Sequence, residues 1–154
     1  MKKTGLIISL MLFVFCSSNI TFAKGKKPNI AILTTGGGIS GSLYSKDNTE
    51  FTVGNISGDA MLFDISEVNK HFKIKTESIA SVASQDMTQS ILLKLAERVQ
   101  KLANTSSIDG IVITHGTDTI GDTAYLLNLI VNTSKPIVLV GAARPYNHYS
   151  PDGP

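Results

Sequence analysis

The sequence has 154 residues, 42 % of them apolar and 17 % charged, with 14 basic and 12 acidic side chains. That length suits one ordinary domain, and the composition is too apolar and too weakly charged for a disordered chain. The net charge of +2 comes without a basic run or stripe, which argues against nucleic acid as a partner, and a single cysteine excludes a disulfide framework.

The chain opens with Met1, Lys2 and Lys3, followed by an apolar run from Leu6 to Phe15 and then Thr21-Phe22-Ala23. A basic start, a short apolar stretch and small residues at a cleavage position predict a secretory signal peptide over residues 1–23. The apolar run is too short to span a bilayer comfortably, so no membrane attachment is expected after cleavage. A lipoprotein signal would need small residues before Cys16, where Val14 and Phe15 stand. Cleavage removes Lys2, Lys3 and Cys16, which brings the basic count down to the 12 acidic residues. The expected product is exported, neutral overall and free of cysteine, so its core must hold it together; the simple signal, with the family resemblance given below, points to the periplasm.

Strand and helix patterns alternate from there. Asn29 to Thr34 reads as a buried strand running into a glycine loop, Gly36-Gly37-Gly38 and Gly41. Ser42 to Gly54 is polar and reads as an exposed loop, Gly58 to Val68 as a weak helix, and the later part of Phe72 to Ala83 as a strand. Ile91, Leu92, Leu95, Val99 and Leu102 recur at helical spacing opposite Lys94, Glu97, Arg98 and Lys101, with Asp86 or Thr88 near the start. Gly110 to Thr114 reads as a strand, Ile120 to Val131 as a helix, Pro136 to Val140 as a strand and Gly141 to Pro154 as loop. Strands separated by helices predict an open α/β domain with a parallel sheet and crossover helices. Ligands of such sheets sit beyond the carboxyl ends of the strands, where the loops at 35–41 and 115–118 fall.

Three loops hold candidate chemistry. Thr114-His115-Gly116-Thr117-Asp118-Thr119 joins a strand to a helix, where unpaired N–H groups attract an anion or a developing oxyanion. Thr117 offers a hydroxyl and Asp118 a carboxylate for an amino group; the alternative is that one of them only caps the helix. The glycine loop after the first strand lacks both the dinucleotide spacing and the P-loop lysine, so it serves either a close ligand approach or a tight turn. Ser84 and Gln85 can hydrogen-bond a polar ligand, or Ser84-Gln85-Asp86 can simply begin a helix. His71, His115 and His148 have no metal-ligand spacing, and no serine-hydrolase motif occurs.

Taken together the segments NIAILTTGGGISG, FTVG, SQDM, DGIVITHGTDT, KPIVLVGAARP and DGP are similar, in order, to the type II, secreted L-asparaginases. The resemblance runs from Pro28 to Pro154 and covers the family's N-terminal part only. It implies a two-domain α/β enzyme, homotetrameric, that hydrolyses asparagine, and often glutamine, to the acid and ammonia with no metal or organic cofactor. A threonine hydroxyl attacks the amide carbon to form an acyl-enzyme, and a second threonine, with a lysine and an aspartate behind it, assists proton transfer.

The carry-over of residues is partial. Thr117 matches the second catalytic threonine. Asp118 matches the aspartate for the substrate's α-amino group, Ser84 the serine for its α-carboxylate, and Gln85 the neighbouring substrate-binding glutamine. Gly38 stands where the family has its nucleophilic threonine, and Phe51 where it has a supporting tyrosine. Losing the nucleophile of a cooperating set removes on the order of 10⁴-fold or more of the rate. Thr35 and Ser40 are the nearest other hydroxyls, yet a misplacement of ~1 Å already costs about 100-fold. In the family the catalytic lysine and the smaller domain lie beyond the DGP segment. The expectation is therefore a signal peptide over 1–23 and, over 24–154, a truncated N-terminal domain with the C-terminal domain absent and activity lost or nearly so. A non-catalytic module binding asparagine or aspartate, and one half of a split enzyme, are the alternatives.

Overall fold

The computed structural model describes residues 26–43, 51–64 and 66–153. The expected signal peptide lies outside them. Strands β1 (Asn29–Gly36), β4 (Lys73–Val82), β5 (Gly110–Thr114) and β6 (Ile137–Val140) form one sheet in the order β4-β1-β5-β6. Every pairing in it is parallel. Two short strands, β2 (Ser42–Leu43) and β3 (Phe51–Thr52), pair antiparallel beside it. Helices α1 (Gly58–Asp64), α2 (Gln89–Ala103) and α3 (Ile120–Ile130) complete the chain order, so the α/β reading holds.

Alternation along the strands sorts the core. Ala31 and Leu33 of β1, Ile111 and Ile113 of β5 and Ile79 of β4 face α2 and α3, where Leu95, Ala96, Val99, Leu102, Ala103 and Leu127 meet them. Leu33, Leu95, Val99, Ile111 and Ile113 are fully enclosed, each worth about 1.5–3 kcal/mol in removal from water. The opposite face is thinner. There Met61 of α1 packs with Ile39 and Ala142, and Ile56, Val140 and Tyr146 border them. A register shift between Thr34 and Gly36 lets β1 bend at its carboxyl end, where Gly36 pairs with Val82.

Two expectations need correction. The polar stretch 42–54 is not simply an exposed loop. Ser42 is buried, its Oγ accepts a hydrogen bond from Asn55 Nδ2 at 2.7 Å, and Asn147 bonds both the N–H and the carbonyl of Leu43. Those polar side chains serve backbone and neighbours rather than water. The strand read in the later part of 72–83 starts at Lys73 and pairs with β1 from Asn29 onward. An edge position explains its weak pattern: Lys73 and Lys75 turn to solvent while main-chain bonds to β1 hold the strand.

Candidate functional site

The loops that follow β1, β4, β5 and β6 converge beyond the carboxyl end of the sheet. Between them lies a cleft of about 420 Å³, lined by Gly37, Gly38, Val53, Ser84, Gln85, Thr117, Asp118, Ala142 and Ala143 among others. Ser84 and Gln85 stand in a single 3₁₀ turn, Ser84–Asp86, directly after β4. Thr117 and Asp118 stand in the turn between β5 and α3. The Thr119 hydroxyl donates to the Ser84 carbonyl at 2.8 Å and ties the two turns together.

Close approach explains two of the glycines. A Cβ on Gly116 would lie 2.6 Å from the Ser84 Cβ. Gly37 has φ +77°, and a Cβ there would lie 2.3 Å from the Gly116 Cα. So three loops from three strands meet closely, Gly37 against the Gly116 backbone and Gly116 against the Ser84 side chain, and a side chain at either glycine would push them apart. Gly38 sits at the opening of the next turn and brings no side chain to the cleft it lines.

The polar residues are arranged in a fixed pair. Ser84, buried, donates its hydroxyl proton to Asp118 Oδ2 at 2.8 Å, and the Asp118 N–H donates to the same Ser84 oxygen at 3.2 Å. Asp118 and Thr117 are exposed to the cleft. The helix-capping alternative for these two does not hold, because Thr119 is the N-cap of α3 and makes no side-chain cap bond. Thr88, not Asp86, caps α2, accepting from the Ile91 N–H at 3.3 Å. Their hydroxyl and carboxylate are therefore not consumed in closing a helix.

Neither nearby hydroxyl replaces a side chain at 38. Thr35 is buried and donates to the Thr114 carbonyl at 2.9 Å, while Ser40 is buried and donates to the Gly37 carbonyl at 3.4 Å. Neither lines the cleft. Phe51 opens β3, where its backbone pairs with Leu43; its side chain lies outside the described ones. Val53, two residues on, reaches the cleft wall.

Sequence reasoning missed the wall built by Ala142 and Ala143. The loop that supplies them is pinned by Asp152, whose carboxylate accepts from the Arg144 N–H at 2.9 Å and the Ala143 N–H at 3.3 Å. Those backbone donors, Arg144 first, hold the Asp152 carboxyl below the usual carboxylate range. Spacing gives no hint of this, since the contact folds a proline-containing loop back on itself. Among the described residues no cluster of three or more His, Cys, Asp or Glu gathers to hold a metal ion, and no helix is long and apolar enough to cross a membrane.

The family model for the N-terminal domain of asparaginases matches residues 29–154. This chain belongs to the asparaginase family. It is 47 % identical over 127 residues to a Haemophilus influenzae protein named a probable periplasmic L-asparaginase, covering 82 % of this chain and 36 % of that one. It is 40 % identical over 153 residues to L-asparaginase 2 of Escherichia coli, covering 99 % of this chain and 41 % of the relative. A crystal structure of a probable cytoplasmic L-asparaginase from Campylobacter jejuni superposes with a TM-score of 0.76 at 44 % identity, over 83 % of this chain and 39 % of that one. The chain thus spans about two fifths of the length of these asparaginases. The match to the family's open α/β sheet agrees with the fold expected from the strand and helix patterns.

Proposed function

We propose that this chain is an L-asparaginase-type amidohydrolase impaired at the acylation step, whose cleft still receives the α-amino acid end of asparagine or aspartate. Asp118 offers a carboxylate to the substrate ammonium group and Gln85 a polar contact, while Ser84 meets the α-carboxylate by turning its hydroxyl proton from Asp118 Oδ2 to the substrate. Thr117 stays as the hydroxyl of the partner threonine. Glutamine is the second candidate substrate. The homotetramer of the family is not assigned to this chain. Export to the periplasm rests on the basic, apolar and small-residue succession of residues 1–23 and on the periplasmic name of one relative.

The observation that carries the reading is Gly38. It lines the same cleft as Ser84, Thr117 and Asp118, and the resemblance of the TTGGGIS segment matches it to the position of the family's attacking hydroxyl. Without that oxygen no bond forms to the amide carbon, and the amide nitrogen is not expelled as ammonia. The remaining groups bind and orient but do not acylate.

The test pairs two measurements on the purified chain. Titration with L-aspartate, followed by calorimetry, is expected to saturate. Ammonia release from L-asparagine is expected to fall short of a full-length relative by about 10⁴-fold or more. Turnover near the relative's rate would overturn the impaired-enzyme reading. Failure to bind L-aspartate would overturn the assignment of the cleft.

A further inference from the structure

We propose that His115 is a positioning residue, an imidazole that donates from Nδ1 and so sets the turn carrying Thr117 and Asp118. This rests on the reading of the cleft given above. His115 follows β5 directly and continues its ladder, its N–H donating to the Val140 carbonyl at 2.9 Å. By strand alternation its side chain shares the face of Ile111 and Ile113, toward α3, and it is 0 % exposed. A buried imidazole must find partners for both nitrogens, and this one has two. Nδ1 lies 2.8 Å from the Gly116 carbonyl oxygen, and Nε2 lies 3.0 Å from Oγ1 of Thr123 in α3, itself 1 % exposed.

The two partners decide the tautomer. A carbonyl oxygen only accepts, so the proton sits on Nδ1 and is donated to Gly116. Nε2 then carries a lone pair and accepts from the Thr123 hydroxyl, which can donate. The chain of bonds runs from Thr123 in α3, through the ring, to the Gly116 carbonyl. The Gly116–Thr117 peptide is planar, so fixing its carbonyl fixes the direction in which the chain enters Thr117 and then Asp118. The ring does not line the cleft, which makes its role one of orientation through the backbone.

Imidazole ¹H–¹⁵N correlation spectra of the ¹⁵N-labelled chain read the tautomer without any substitution. A proton on Nδ1 and a bare Nε2 are expected; a proton on Nε2 would overturn the proposal. Thr123→Val removes the donor to Nε2 at nearly constant volume, while Thr123→Ser keeps it. The valine variant is expected to shift the backbone amides of Gly116, Thr117 and Asp118 and to weaken L-aspartate binding about tenfold. The serine variant is expected to restore both. Unmoved amides in the valine variant, or equal effects of the two, would overturn the role. Should Thr123→Val fail to fold, His115→Asn, which keeps a donor near the Nδ1 position, against His115→Leu provides the same contrast. If the parent chain binds no L-aspartate, the reading of the cleft fails, while tautomer and amide shifts still decide the role of His115.

Discussion

Ser84 and Asp118, 34 residues apart, exchange two hydrogen bonds across the carboxyl edge of the sheet. The serine hydroxyl is both donor to the carboxylate and acceptor from the aspartate's own N–H, so neither side chain turns without breaking a bond. Ser84→Ala removes the oxygen that serves both. We expect binding of L-aspartate to weaken by about tenfold or more, in line with the loss of one hydrogen bond to a charged group. Calorimetric titration checks this, and a variant that binds as tightly as the parent would remove Ser84 from the site.

Introducing a threonine at 38 is not expected to produce turnover by itself. A Cβ built on Gly38 lies 2.8 Å from the Ala142 carbonyl oxygen, so the loop from Gly141 must yield before any larger side chain fits. That loop is held by Asp152 through the N–H groups of Ala143 and Arg144. Ammonia assays on Gly38→Thr, alone and combined with Asp152→Ala, test the coupling. Release is expected to stay at background in the single variant. Full activity from Gly38→Thr alone would show that the loop yields freely.

The core has one thick side, and that side is where truncation costs most. Leu33 is fully buried between the sheet and α2, next to Leu95 and Val99. Leu33→Ala should cost about 2–5 kcal/mol, the usual range for a buried leucine whose cavity cannot collapse. Urea denaturation measures it through the midpoint at constant slope. Val138, half exposed on the sheet's edge strand, should lose less than about 1 kcal/mol on the same change.

Acidification should unfasten α2 from the sheet edge. Arg98 Nε reaches both Glu77 oxygens at 2.7 and 2.9 Å and Nη2 reaches Oε2 at 2.6 Å. This charged hydrogen bond lowers the Glu77 carboxyl from its ordinary value of 4.5. Because the folded value lies below the unfolded one, the contribution is complete above that ordinary value and is lost as pH falls through the lowered one. The side chains are 26 % and 36 % exposed, so solvent screening leaves the pair worth at most about 1 kcal/mol. Glu77→Gln should flatten the fall of stability across roughly pH 5 to 3, read from denaturation midpoints at each pH. Identical pH profiles for parent and variant would assign the acid sensitivity to other carboxylates.

Much of the fold was legible because its signals are local. The period of Leu95, Val99 and Leu102 reflects one buried face of α2, and the apolar runs of β1 and β5 reflect strands covered on both sides. The motif order was enough to suggest the family, and Gly38 and Phe51 could be read as departures from it without coordinates. Position in space was different. Whether Thr117 and Asp118 cap a helix or face a cleft depends on where α3 begins, at Ile120 with Thr119 as its N-cap. That the Thr35 and Ser40 hydroxyls point away from the cleft follows from the bend at the end of β1 and from the carbonyls they meet there. His115 looked like any unpaired histidine until the ring was found between Gly116 and Thr123. Residue types and their order specify which chemistry a chain can hold, because they set propensity and burial. Only packing brings four strand ends to one place and decides which hydroxyls remain free to use it.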